Sequence, residues 1–169
     1  MYRTTPFPPV PPPLGHPIFR LNEAVRKLQD EHDALQSELE SIVRMSGRLS
    51  ERDDRFPDDP ALLKRVRNAV QAFQRDVERH AKWEEATLFP MIAWYLEDEP
   101  IQFMLIEQEH ELAERYLRAF LEAADRAPSQ PGPAKPMAGS LLQAARHLKL
   151  HFEMEEELLQ AVLDRSNID

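Results

Sequence analysis

Apolar residues recur at alternating steps of three and four through four long segments of the chain, the spacing of helices that bury one face. The first segment carries Leu21, Val25, Leu28, Leu35, Leu39, Ile42 and Leu49, and predicts a helix over 18–50, with Gly47 weakening its last turns. The second carries Leu63, Val66, Val70, Phe73, Val77, Leu88 and Met91, with Asp58 or Asp59 as cap and Pro60 in the first turn. Pro90 lacks a backbone donor, so this helix is expected to kink or end there, with Trp94, Tyr95 and Leu96 adding a further turn. Glu99-Pro100 signals the start of a third helix reaching Arg126, striped by Phe103, Ile106, Leu117, Leu121 and Ala124. The fourth, over 137–165, carries Leu141, Ala144, Leu148, Leu158 and Val162.

The segments between these helices are short. The charged run 51–55 reads as a loop, and Pro128, Pro131, Gly132, Pro133 and Pro136 mark a linker over 128–136. No segment shows the period of two that marks a strand. Short connections make neighbouring helices antiparallel, so the pattern predicts an all-α domain over 18–169, an up-down-up-down four-helix bundle. Residues 1–17 stand apart, with seven prolines. They favour extended polyproline conformation and read as an N-terminal arm, draped over the surface or docking a second subunit into a homodimer. His16 in this arm reads as a solvent residue.

Composition narrows the partners. Thirty acidic against 21 basic residues give a net charge of −9, which argues against nucleic acid or an anionic membrane as main partner. There is no cysteine, so no disulfide, thiolate zinc site or thiol nucleophile is available. No apolar run approaches the roughly 18 residues of a membrane-spanning helix. The N-terminus lacks the apolar core of a signal peptide, and a cytoplasmic location is expected.

Each helical stripe has a gap, and each gap holds polar residues. His32 falls between Leu28 and Leu35 in the first helix. His80 and Glu84 interrupt the second, His110 and Glu114 the third, and His151 and Glu155 the fourth. Residues four apart lie one turn apart on the same helix face, so each His-x-x-x-Glu pair points one way. Alone, His32 reads as a hydrogen-bonded core histidine, and one such pair as a solvated helix face. Together they differ, because all seven replace apolar residues near mid-helix, where antiparallel packing brings them to one level. Buried carboxylates cost several kcal/mol each unless a cation or strong donors neutralise them, and no Lys or Arg interrupts any stripe. Two metal ions can share the set, with two bridging carboxylates and a position left for a small ligand. Imidazole and carboxylate suit iron, zinc or manganese.

The pieces Glu31-His32-Asp33, His80-x-x-x-Glu84-Glu85-x-x-Leu88-Phe89-Pro90, Glu109-His110-x-x-x-Glu114 and His151-x-x-x-Glu155-Glu156 resemble the hemerythrin family in its bacterial HHE cation-binding branch, over roughly 18–165. The resemblance implies an up-down-up-down bundle around two iron ions, an Fe–O–Fe centre. It implies His32, His80, His110 and His151 as terminal ligands and Glu84 and Glu155 as bridges. Oxygen-carrying members have a histidine where this chain has Glu114. They also have an aspartate five residues after the fourth-helix histidine, where this chain has Glu155 at four. An added anionic ligand favours ferric iron. Reaction with, or sensing of, dioxygen, peroxide or nitric oxide, or iron handling, is therefore expected over reversible oxygen carriage.

Two alternatives stand beside this reading. A ferritin-like carboxylate oxidase wants Glu-x-x-His in two helices, and only Glu107-x-x-His110 fits. A metal-free interaction bundle would leave the seven residues exposed or mutually hydrogen-bonded. His147 reads as a flanking residue, behind the ligands or at the surface, and the candidate for a fifth histidine; Glu85 and Glu156 point about 100° from their ligands and read as facing solvent or standing behind the ligands. Trp83, Phe89, Phe152 and Met154 read as packing residues. Nothing resembles a nucleophilic triad, a phosphate loop or a dinucleotide fingerprint.

Overall fold

The computed structural model describes residues 17–50, 59–97, 100–127 and 134–166. The arm with His16, the 51–55 run, Asp58, Glu99 and linker residues 128–133 lie outside the described residues. Everything described is helix or short turn: α1 (Pro17–Ser50), α2 (Pro60–Trp83), a π turn (Glu84–Leu88), α3 (Phe89–Leu96), α4 (Gln102–Arg126) and α5 (Ala134–Ser166). The π turn joins α2 to α3 without a break, so these elements make four rods. Each rod packs on two neighbours in a closed ring, α1 on α2 and α5, and α4 on α2 and α5.

The local chemistry sets the helix ends. Asp59 caps α2, its carboxylate accepting from the Leu62 N–H at 2.9 Å, and Pro60 takes the first position, where no donor is needed. The second rod departs from expectation at Pro90, which neither ends nor breaks it. Phe89 N–H donates to Glu84 O, five residues back, so the chain opens into one wide turn before Pro90 enters. That turn absorbs the missing proline N–H and the rod runs on to Leu96. Glu97 then stops it in the left-handed conformation, φ 55°. The last rod also differs, since α5 starts at Ala134, three residues before Met137. Pro136 sits in its first turn, where its lack of a donor is harmless.

The core has two parts, and their membership fixes the topology. One cluster joins the later half of α1 (Leu35 to Leu49), the start of α2 (Leu63 to Val77), the end of α4 (Ala113 to Ala127) and the start of α5 (Met137 to Phe152). The other joins the start of α1 (Leu21 to Leu28), the π turn and α3 (Leu88 to Ala93), the start of α4 (Phe103, Ile106) and the end of α5 (Leu158 to Val162). Starts meet ends on successive rods, so the bundle is up-down-up-down. In α4 the buried row runs through Ala113 and Phe120, with Leu121 only partly covered, and in α1 Ala24 is buried where the stripe pointed to Val25. Phe73, Phe120 and Phe152 are among the largest fully buried side chains, and truncating any of them costs about 3–5 kcal/mol.

Candidate metal centre

The two apolar clusters leave a band between them. It falls between Leu28 and Leu35 on α1, Val77 and Leu88 on the second rod, Ile106 and Ala113 on α4, and Leu148 and Leu158 on α5, where Phe152 borders it. Helical periodicity then decides what enters the band. His32, His80, Glu84, His151 and Glu155 point inward and keep 4% or less of their exposure. One donor atom from each of His32, His80, Glu84 and Glu155 lies within 4.8 Å of the others. His151 abuts this group, Nε2 standing 3.3 Å from Glu155 Oε1. His110 and Glu114 pair at the rim, Nε2 to Oε1 at 3.2 Å, with side chains 15% and 28% exposed. Thus four of the seven expected residues form the tightest cluster, His151 touches it, and His110–Glu114 flank it. Phe152 is the wall of the cluster, its ring 4.2 Å from His32 and 5.6 Å from His151 between centroids.

The imidazoles share one orientation. His32, His80, His110 and His151 all turn Nε2 toward a glutamate of the group. Three of them tie the other nitrogen outward. His80 Nδ1 meets Glu31 Oε2 at 2.6 Å, His32 Nδ1 meets Glu156 Oε1 at 2.8 Å, and His151 Nδ1 meets the carbonyl of Ile106 at 2.9 Å. A carbonyl only accepts, so Nδ1 of His151 carries the proton and Nε2 presents a lone pair inward. This is the arrangement a metal-bound histidine needs, its outer N–H held and its inner nitrogen free.

Electrostatics sharpens the picture. Burial, reinforced by the neighbouring His80, lowers the His32 pKa to about 3, and burial lowers that of His151 to about 4, so both rings are neutral at pH 7. Burial opposes charge on His80 too, but Glu84 and Glu31 outweigh it and raise its pKa. Burial pushes Glu155 well above the ordinary carboxylate range, and the Glu84 charge beside it adds to the effect. Burial acts the same way on Glu84, but His80 reverses it and holds Glu84 ionised. The two carboxylates, Glu84 and Glu31, therefore favour a proton on His80, and burial favours one on Glu155. These protons balance the group poorly. His80 Nε2, Glu84 Oε1 and Glu155 Oε1 are buried without a hydrogen-bond partner. The first two lie 2.6 Å apart but out of hydrogen-bond alignment. Each such orphan costs about 1–3 kcal/mol. A cation between imidazole and carboxylate donors satisfies all three, so the residues fit a metal.

In the outer ring, the place of Glu31 behind His80 was the part sequence reasoning missed. Glu31 is half-exposed and its partner His80 sits on another rod, so no periodicity along α1 marks it. Glu156 keeps 43% of its side-chain exposure, as expected of a residue turned from the seam, yet reaches the back of His32. His147 stays outside the cluster. Its Nδ1 meets Glu109 Oε2 at 2.6 Å and its ring stacks on Tyr116 at 5.6 Å. Among the described residues, no helix is long and apolar enough to cross a membrane.

Residues 23–163 match the family described as hemerythrin, the hemerythrin HHE cation binding domain. No curated protein and no solved structure matches the chain.

Proposed function

The chain belongs to the hemerythrin HHE cation-binding family, and from that premise we propose that it is a non-haem di-iron protein that binds, senses or reacts with dioxygen, peroxide or nitric oxide. The observation that carries this reading is the convergence of His80 Nε2, Glu84 Oε1 and Glu155 Oε1, buried and unpartnered within one cluster. Natural cores seldom retain orphaned polar atoms, and three in one place call for an inorganic cation. The rival reading, a metal-free interaction bundle, expects these residues exposed or satisfied by one another; they are buried, and although His80 Nε2 and Glu84 Oε1 stand 2.6 Å apart, no aligned hydrogen bond joins them.

In this reading His32 and His80 would hold one ion and His110, Glu114 and His151 the other, with Glu84 and Glu155, beside His80 and His151, as donors available to both. Iron supplies the redox and ligand-exchange chemistry when bound. The residues supply the rest. Phe152 and the two apolar clusters keep bulk water from the band, which strengthens every charge interaction within it. Glu114 is held below the ordinary carboxylate range, first by its hydrogen bond from His110, so it stays an anionic donor at neutral pH. An anionic donor there favours the oxidised ion and reaction over reversible carriage.

The test is metal analysis and the visible spectrum of aerobically purified protein. The proposal expects about two iron ions per chain and the charge-transfer bands of a diferric pair, perturbed by peroxide, azide or nitric oxide. Protein that takes up neither iron nor another divalent ion overturns it.

A further inference from the structure

The outer contacts of the centre are unequal between its two ends. The His32 and His80 rings lie 5.0 Å apart at one end, and the His110 and His151 rings 5.3 Å apart at the other. At the first end both outer nitrogens face carboxylates, Glu156 and Glu31. At the second, His151 has a neutral carbonyl and His110 Nδ1 is buried with no hydrogen-bond partner. A hydrogen bond to a carboxylate is roughly twice as strong as one to a neutral acceptor. It draws the Nδ1 proton outward and leaves Nε2 the better donor to a metal.

Glu31 is itself fixed. Its second oxygen, Oε1, lies 3.3 Å from Lys27 Nζ, one turn earlier on α1. That ammonium sits 4.3 Å above the Trp83 ring of α2, and the same ring lies 6.1 Å from His80. Lys27 therefore links Glu31, on its own helix, to Trp83 of α2, beside the histidine that Glu31 contacts. His32, His80 and His151 are all buried, so burial does not separate the two ends; the carboxylates behind His32 and His80 do. Histidines oriented by a carboxylate bind a cation more tightly than histidines without one.

We propose, resting on the di-iron reading, that Glu31 and Glu156 are positioning residues: they hold His80 and His32 with Nε2 inward and make that end of the centre the first and tighter to load. The other end takes its ion second and exchanges it more readily.

The experiment is anaerobic titration of the full, metal-free chain with cobalt(II) against a chromophoric chelator, followed by the visible bands of the bound ion. Wild-type protein is expected to take two equivalents in two steps at least about tenfold apart in affinity. Glu31→Ala and Glu156→Ala are each expected to weaken the first step about 10–100-fold and leave the second within about threefold. Glu31→Gln, which keeps an acceptor for the Nδ1 proton, recovers part of the loss. Melting of the metal-free variants separates a folding defect from this effect, because loss of fold weakens both steps together. Lys27→Ala, which unpins Glu31 without touching a histidine, shifts the first step in the same direction by a smaller factor. Two-equivalent uptake with an unchanged first step in the alanine variants, or equal loss of both steps in folded protein, overturns the role of the outer carboxylates alone. Failure of wild-type protein to take two equivalents overturns the di-iron reading and this inference with it.

Discussion

His32 Nε2 stands 3.0 Å from Glu155 Oε2, although 123 residues of chain separate them. Both side chains are buried. The contact ties α1 to α5 at the level where the apolar core is interrupted. It is a stable place for a metal and an expensive one without it. That contrast gives the following tests.

Metal binding should be visible as stability. A ligand that binds only the folded state at a hundred times its dissociation constant stabilises it by about 2.7 kcal/mol. For a chain of this size that corresponds to a rise in melting temperature of roughly 5–10 °C. Differential scanning of the chelator-treated protein, before and after adding iron(II) anaerobically, checks it. An unchanged melting curve on metal addition contradicts the reading.

Replacing buried polar groups with apolar ones should remove function at little cost in stability. The double variant His151→Leu, Glu155→Leu restores the stripe on α5 and removes an unsatisfied carboxyl atom. Its metal-free form gains apolar packing but leaves His32 Nε2 and the Ile106 carbonyl without partners, so it is expected to stay within about 1–3 kcal/mol of the wild type. Its metal uptake should be abolished. Urea denaturation and metal analysis of the same preparation give both answers, and a strongly destabilised variant would mean that the polar layer is structural.

Metal and protons should compete. Glu155 is kept protonated by burial and by the Glu84 charge, and His80, despite burial, is raised by Glu84 and Glu31. The metal must displace these protons, so affinity rises with pH until both groups lose them unaided. Adding zinc(II) in weak buffer should release more protons per chain at about pH 6 than at about pH 8, with weaker binding at the lower value. Affinity that does not vary across this range would show that these groups are not ligands.

Phe152 separates the role of packing from that of the ligands. Phe152→Ala removes the ring packed against His32 and His151 and is expected to cost about 3–5 kcal/mol. The Nδ1 contacts of both histidines come from other residues, so metal stoichiometry should survive while the site becomes wetter. Faster chelator extraction at unchanged metal content is the expected result.

Much of this was readable along the chain. The stripes placed all four rods because a helix buries one face whatever it packs against, and the four gaps fell at one level because antiparallel rods of similar length align their middles. Pro90 was legible as a disturbance but not as a π turn, since a chain can meet a missing donor by kinking or by widening one turn, and the spacing of apolar residues does not tell the two apart. Ala113, not Glu114, took the buried place on α4, because an alanine needs no partner there and a carboxylate at the rim keeps water.

The sequence by itself determined the bundle and the polar layer, because both follow from spacing within single helices. Only the tertiary structure decided which carboxylate stands behind which histidine. Glu31 reaches His80 and Glu156 reaches His32 across seams between rods, and no period within one helix encodes a contact made by two.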